Sequence, residues 1–241
     1  MMDGRLSRVV KRGTDILVSA LGLLVLSPVI AAVALAIRLS MGSPVLFRQK
    51  RPGYLGQPFE LVKFRTMRRV PPTLGVGQTD ARLPGAARLE SDLARTPRVG
   101  RFLRRTSLDE IPQLWNILRG DMSLVGPRPL LVSYLPHYTP EEARRHLVRP
   151  GLTGWAQIQG RRNVPMHERF LLDVWYVDHW SLGLDLQILL ATARRIATAD
   201  GAAPSNAPDP FFERLRGTPV PAACDPEAAS SPAGGEGATG A

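Results

Sequence analysis

The sequence predicts an α+β fold that is mainly helical and is joined at its N-terminal end to a membrane-associated helix. Residues 16–37 are 22 residues without a charged side chain, long enough as one helix to cover a bilayer. In residues 107–119, apolar side chains recur at the three- and four-residue spacing of one helix face. Residues 42–67 instead show short β-prone runs around a Pro-Gly turn, which is typical of a hairpin.

The basic charge of the chain is concentrated towards its N-terminal end. The 241 residues carry a formal net charge of +10, and residues 1–69, with twelve Lys or Arg and three acids, contribute +9. A nucleic-acid-binding protein needs a basic face on its folded body, so this distribution predicts no nucleic-acid partner. It favours anionic lipid headgroups, where each Lys or Arg contributes about 1 kcal/mol. The single cysteine, Cys224, excludes an intrachain disulfide and a thiolate metal cluster.

Three interpretations of residues 16–37 compete. A cleaved signal peptide is disfavoured, because the apolar run is long and basic residues beginning at Arg38 follow it closely. A spanning helix and a re-entrant helix, which returns to the same side, are equally favoured by these residues alone. Pro28 removes the backbone donor for the Leu24 carbonyl and bends the helix, while the Ser27 hydroxyl can satisfy a freed acceptor. Basic flanks on both sides fully satisfy the positive-inside rule only if both ends are cytoplasmic.

Periodicity and turn composition predict the remaining elements. Helices are predicted at residues 107–119, 140–148, 166–180 and 182–198. Loops are predicted at residues 70–97 and 120–133, and a strand within a turn-rich stretch at residues 155–158. Residues 201–241 are predicted to be a disordered tail, because 26 of these 41 residues are Ala, Gly, Pro or Ser.

Asp109 and Glu110 are the best candidates for catalysis. Ser107 and Glu110 have the spacing of a capping box, and this structural role competes evenly with a catalytic one. The context then favours catalysis, because four arginines precede the pair: Arg98, Arg101, Arg104 and Arg105. A carboxylate pair beside guanidinium groups suits phosphoryl transfer, with a nucleophile, a ligand for a divalent cation and binding groups for phosphate. The same arginines would also suit a solvated or lipid-facing helix face.

Two loops and one strand present further cations. Arg128 lies between two prolines, which lower the cost of holding its side chain in one geometry. Arg161 lies in a second loop, and Lys63, in a β-prone run, is one of only three lysines in the chain. Loop arginines are common, so each of these motifs is weak when taken alone.

Together the motifs resemble the bacterial sugar transferases, the monotopic polyprenyl-phosphate phosphoglycosyl transferases. The resemblance covers about residues 8–198 and includes the apolar segment with its central Ser27 and Pro28. Five further motifs carry it: QKRPG at 49–53, KFRTM at 63–67, TSLDEIPQL at 106–114, GDMSLVGPRP at 120–129 and RPGLTGWAQ at 149–157. The chain is similar to the minimal catalytic form of the family, without the multi-helix N-terminal domain of larger members.

The resemblance implies a two-step transfer. Asp109 would attack the sugar-linked phosphorus of a UDP-sugar and release UMP, and undecaprenyl phosphate would then accept the phosphosugar. Glu110, together with Asp109, would hold Mg²⁺. The side chains expected to contact phosphates or nucleotide are Lys63, Arg104, Arg128 and Arg161.

The resemblance also implies an architecture and a location. Residues 1–40 would form a basic N-terminus and a re-entrant membrane helix, and residues 41–200 a compact transferase domain on the cytoplasmic face of the bacterial inner membrane. The activity would be the first membrane step of exopolysaccharide, O-antigen, capsule or glycoprotein glycan assembly. A homo-oligomer and contacts with downstream glycosyltransferases are compatible with this role. The competing hypothesis is a membrane-anchored, non-catalytic scaffold of a glycan assembly complex.

Overall fold

The computed structural model describes three ranges of the chain: residues 4–68, 95–160 and 165–198. Most of the predicted loop at residues 70–97, the predicted tail at residues 201–241 and Arg161 lie outside these ranges. Within them, helices predominate and short strands form two small sheets. The prediction of an α+β fold that is mainly helical is therefore confirmed.

The apolar segment is broken where the sequence predicts. Helices α1 (Gly4–Val25) and α2 (Ser27–Met41) are bent by 61° relative to each other. The Ser27 hydroxyl donates a 2.7 Å hydrogen bond to the carbonyl of Leu24, the acceptor that Pro28 cannot serve. In the described ranges neither helix alone is long and apolar enough to cross a membrane, whereas the bent pair together meets that requirement of length and composition.

An antiparallel hairpin follows α2, as predicted for residues 42–67. Strand β1 (Leu46–Pro52) pairs with β2 (Pro58–Phe64) over their whole lengths, and the turn begins at Gly53. The guanidinium of Arg65, just past β2, donates to the carbonyls of Met41 (2.8 Å) and Gly42 (2.6 Å). These bonds satisfy carbonyl groups at the end of α2 and join the helix pair to the hairpin.

The prediction of one helix over residues 107–119 is confirmed only for its second half. Helix α3 (Arg98–Thr106) ends at Ser107, whose φ of 58° is left-handed, and a short 3₁₀ turn (Leu108–Glu110) precedes α4 (Gln113–Arg119). Pro112 has no N–H to donate to a helical carbonyl, so the regular helix begins only after it. The Ser107 side chain makes no capping bond, so the capping-box interpretation is also wrong.

The strand predicted at residues 155–158 is wrong as well, since these residues belong to helix α6 (Trp155–Gly160). The strand lies just before it: β4 (Gly151–Thr153) pairs in parallel with β3 (Ser123–Val125), inside the predicted loop. A short apolar run does not by its period distinguish a strand from a helix. The strands approach closely, because a Cβ on Gly151 would lie 2.1 Å from the Gly126 backbone nitrogen.

The predicted helices of the C-terminal part are confirmed. Residues 140–147 form helix α5 (Pro140–Ala143) and a 3₁₀ turn, and two longer helices follow, α7 (Met166–Asp178) and α8 (Leu182–Thr198). The main core lies between α4, the small parallel sheet and these two helices. Its most deeply buried members come from different elements: Ile117, Met122, Val125, Tyr176 and Ile188.

Asn116 joins α4 to the open edge of β2. Its side-chain amide is fully buried, accepts a 3.0 Å hydrogen bond from the Val62 N–H and donates a 2.7 Å bond to the Glu60 carbonyl. The amide thus pairs with β2 as a neighbouring strand would. Because β2 also carries Lys63 and α4 follows Asp109, this contact fixes two site-bearing elements relative to each other.

We predict that Asn116→Leu destabilises the fold by roughly 2–4 kcal/mol, because it removes the partners of the buried Val62 donor and of the partly buried Glu60 carbonyl. Denaturation of the purified protein measures this loss. Arg119→Gln, an exposed change on the same helix, is the control and is expected to cost less than about 0.5 kcal/mol. Equal stability of the two variants would contradict the role given to the amide.

Candidate active site

The structure brings five of the predicted site residues together, although they come from four segments. Asp109 and Glu110 lie in the 3₁₀ turn between α3 and α4, Lys63 lies near the end of β2, Arg104 lies in α3 and Arg128 follows β3. The charges of Lys63, Arg104 and Arg128 each act on the Asp109 carboxylate. The sixth predicted residue, Arg161, lies outside the described ranges.

Asp109 is the buried centre of this group. Only 8% of the residue is exposed, and burial, followed by the neighbouring Glu110 carboxylate, raises the pKa of Asp109 to about 6. The three cations oppose this rise because they stabilise the charged form. At neutral pH the carboxylate is therefore ionised, poorly hydrated and directed towards positive charge, as a nucleophile in phosphoryl transfer requires.

Lys63 is the cation whose charge is most easily removed. Burial, followed by the positive charge of Arg128, lowers its pKa to about 8, while the Asp109 carboxylate acts in the opposite direction. Its ammonium lies 5.0 Å from the ring centre of Phe47, its cross-strand partner on β1. The aromatic face stabilises the cation, whose charge acts on the Asp109 carboxylate.

Arg128 forms an ion pair with the second carboxylate of the site. Its Nη2 lies 2.6 Å from Glu110 Oε1, with 49% and 22% of the respective side chains exposed. The segment before it is fixed by backbone bonds, from the Gly126 N–H to Thr153 (2.9 Å) and from the Gly151 N–H to Pro127 (3.0 Å). The guanidinium therefore projects from a rigid loop and remains open on one side to a ligand.

Arg104 approaches the site along α3. Its Nε donates a 2.9 Å hydrogen bond to the Thr66 hydroxyl, just beyond β2. Gly100 permits this approach, because a Cβ at that position would lie 2.0 Å from the Thr66 carbonyl oxygen. A glycine one turn before Arg104 thus brings a guanidinium against the strand that carries Lys63.

Sequence reasoning missed several residues that support the site. Arg51 on β1 adds positive charge near Lys63, and Thr66 and Gly100 fit Arg104 against the hairpin. Arg51 and Thr66 lie inside the QKRPG and KFRTM motifs, so these motifs could have indicated both residues as part of the site. Arg145 contacts Arg128 from a segment that no motif marks.

The described residues contain no group of three or more His, Cys, Asp or Glu side chains that could hold a metal ion. The carboxylates at the site are those of Asp109 and Glu110. In the described part of the chain, Glu110 bonds to Arg128 through its Oε1 atom only. Mg²⁺ is commonly bound by one or two carboxylates together with substrate phosphates, so this pair fits such an ion when phosphate is present.

Comparison with known proteins identifies the family of the chain. Residues 6–199 match the model of the family described as bacterial sugar transferase. A protein of Bacillus subtilis named uncharacterized sugar transferase EpsL is 49% identical over 82% of this chain and 92% of its own length. The UDP-glucose:undecaprenyl-phosphate glucose-1-phosphate transferase of Caulobacter vibrioides is 42% identical over 80% and 71%, respectively. The undecaprenyl-phosphate galactose phosphotransferase of Salmonella typhimurium is 39% identical over 82% and 42%.

The match to the family model covers most of the chain, and the Bacillus subtilis relative, matched over 92% of its own length, is 49% identical in the aligned residues. The chain belongs to the bacterial sugar transferase family. Within that family it is an enzyme, a phosphoglycosyl transferase. The family membership that the motifs indicated is thereby confirmed.

We predict that Asp109→Asn stabilises the protein at pH 8 by about 2–3 kcal/mol. The pKa of Asp109 is about 6 in the folded protein and 3.8 in the unfolded chain. Its contribution to stability is therefore fully present below pH 3.8 and is lost as the pH rises through about 6. The neutral amide avoids that loss, so its advantage should shrink to about half at pH 5. Denaturation at both pH values measures the difference.

Glu110→Gln is the matched control for this experiment. It changes the adjacent carboxylate by the same one atom. It relieves the repulsion that Glu110 exerts on Asp109 but also weakens the ion pair with Arg128, so any gain in stability at pH 8 should be clearly smaller than that of Asp109→Asn. If Asp109→Asn is no more stable than the wild type at pH 8, the charged Asp109 carboxylate does not destabilise the fold and the prediction is wrong.

Proposed function

We propose that the protein transfers a sugar 1-phosphate from a UDP-sugar to undecaprenyl phosphate, with Asp109 as the nucleophile. The observation that carries this proposal is the buried Asp109 carboxylate beside three cations, Lys63, Arg104 and Arg128. Relatives of the chain carry names that specify a UDP-sugar donor and an undecaprenyl-phosphate acceptor, which supports the same substrates here. The reaction would be the first membrane step of a surface glycan pathway.

In the first step, a carboxylate oxygen of Asp109 attacks the phosphorus that bears the sugar. The bond from this phosphorus to the oxygen that bridges to UMP breaks, and UMP leaves with that electron pair. A phosphosugar remains bound to Asp109 as an acyl phosphate. The guanidiniums of Arg104 and Arg128 and the ammonium of Lys63 offset the negative charge on the phosphoryl oxygens and the leaving group.

In the second step, a phosphate oxygen of undecaprenyl phosphate attacks the same phosphorus. The bond between this phosphorus and Asp109 breaks, which restores the carboxylate and yields an undecaprenyl diphosphosugar. Two displacements through one carboxylate let the donor and the acceptor use the site in turn. The pKa of about 6 keeps the returning carboxylate a good leaving group and leaves it ionised for the next cycle at neutral pH.

Asp109 and Glu110 are the residues that would hold Mg²⁺. When bound, the ion would supply positive charge to the phosphate oxygens of the donor. Arg128 holds Glu110 in place through its 2.6 Å ion pair, so the carboxylate is oriented before a donor arrives. Arg161 remains a predicted contact to the donor.

We further propose that α1 and α2 form a re-entrant membrane helix, with both ends on the cytoplasmic face of the bacterial inner membrane. Large apolar side chains on both limbs are exposed, among them Leu24 (71%), Val25 (72%) and Leu39 (80%). Such a surface is costly in water and fits the acyl region of a bilayer. The bend at Ser27 and the basic residues on both flanks favour return to the side of entry.

We predict that brief incubation with a UDP-sugar and Mg²⁺, without undecaprenyl phosphate, adds the mass of one sugar phosphate to the intact protein. Peptide mapping should place it on Asp109, and adding undecaprenyl phosphate should remove it. The donor panel should include UDP-glucose and UDP-galactose, since relatives named for each sugar match this chain at 42% and 39% identity.

Asp109→Asn should abolish both the mass gain and the release of UMP, because the amide is not a nucleophile. Asp178→Asn, a change on the exposed end of α7, is the control and should keep both. Turnover by Asp109→Asn near the wild-type rate would exclude the covalent mechanism. A folded protein that neither gains mass nor releases UMP with any donor would support the scaffold hypothesis instead.

We predict that cysteines placed at Ser7 and Ser43, in a Cys224→Ser background, both resist a membrane-impermeant thiol reagent in intact cells. Both should react after the cells are opened. Labelling of only one of the two in intact cells would show a spanning helix. Pro28→Ala restores the missing backbone donor and should shift the segment towards that spanning arrangement.

A further inference from the structure

Arg145 is a buried cation that the proposed mechanism does not use. Only 2% of its side chain is exposed, and its Nε and Nη2 donate to Asp173 Oδ2 at 3.1 and 2.6 Å. The guanidinium carbon lies 5.7 and 5.3 Å from the ring centres of Tyr138 and Phe170. The same Nη2 donates a 2.8 Å hydrogen bond to the backbone carbonyl of Arg128.

Stability alone is a poor reason for this buried pair. Taking two charges out of water costs several kcal/mol per ion, and apolar residues of similar volume often stabilise a fold equally well or better. An apolar side chain, however, could not bond to the Arg128 carbonyl. An apolar replacement would also lose the 3.2 Å hydrogen bond from Arg145 Nη1 to the Tyr138 hydroxyl, but the bond to the Arg128 carbonyl is the one that reaches the site.

We propose that Arg145, held in place by Asp173, is a positioning residue that fixes the backbone of Arg128 and so directs its guanidinium to Glu110 and to the donor phosphates. Backbone bonds at Gly126 and Pro127 hold the loop before Arg128, and Arg145 supplies the bond at Arg128 itself. A planar guanidinium can contact Asp173 and the carbonyl at once, which a lysine ammonium does less well. The inference rests on the proposed function, in which Arg128 binds donor phosphate.

The test replaces the pair by apolar residues, Arg145→Met with Asp173→Leu, in both the wild-type and the Arg128→Ala backgrounds. In the wild-type background, the melting temperature should stay within a few degrees while kcat/KM for the UDP-sugar falls at least tenfold. In the Arg128→Ala background, the same change should reduce kcat/KM by less than about twofold, because the residue it positions is gone.

Arg144→Met is the matched control. Arg144 is the neighbouring residue and also pairs with an α7 carboxylate, that of Asp178, but its ion pair is partly exposed and its bonds do not reach the Arg128 loop. Its removal should change kcat/KM by less than about twofold in either background.

Two results would overturn the proposal. One is a kcat/KM of the apolar-pair variant equal to that of the wild type. The other is the same fold-loss of kcat/KM in the wild-type and the Arg128→Ala backgrounds. If the apolar pair does not fold, Arg145→Lys gives the same decision, since it keeps the charge opposite Asp173 but loses the forked geometry. Unchanged turnover in Arg128→Ala alone would instead contradict the phosphate-binding role of Arg128, so a failure of the proposed function appears as a separate result.

Discussion

The burial of the Asp109 carboxylate is the constraint on which the rest of the structure depends. With only 8% of the Asp109 residue exposed, its carboxylate has lost most of its hydration, and its pKa rises to about 6. It remains ionised at neutral pH because cations from the hairpin, from α3 and from the loop after β3 reach it. Those segments are distant in sequence, so the fold must hold them together against the mutual repulsion of Lys63, Arg104 and Arg128.

Helix α1 supplies much of that restraint through its polar residues. Lys11 donates to the Val125 carbonyl (3.1 Å), directly before the loop that carries Arg128, and Arg12 donates to the Ile117 carbonyl (2.6 Å) of α4, the helix that follows Asp109. Asp15 accepts hydrogen bonds from the hydroxyl of Ser123 (3.1 Å) and from the next backbone N–H, on β3. One helix therefore ties together both sides of the site, each over about 100 residues of sequence.

The sequence predicts the features that local chemistry determines. The hairpin, the break at Ser27 and the last two helices follow from turn composition, a missing backbone donor and apolar period. The apolar period of residues 107–119 extends the predicted helix too far back, because the left-handed Ser107 and Pro112 allow a regular helix only from Gln113 onwards. Asn116 and Arg145 could not be found from sequence, because their roles depend on backbone groups of residues that only the tertiary fold brings near them.

Apolar contacts hold the site beside the apolar segment as well. Leu108, directly before Asp109, packs against the core cluster that contains Val33 and Ile37 of α2, and a Cβ on Gly22 of α1 would lie 3.0 Å from the Leu114 side chain of α4. Together with the bonds of Lys11, Arg12 and Asp15, these contacts attach the site to both limbs of the bent helix pair. In the proposed re-entrant arrangement, a nucleophile attached in this way would lie next to the bilayer, where it could meet both a soluble nucleotide sugar and the phosphate of undecaprenyl phosphate.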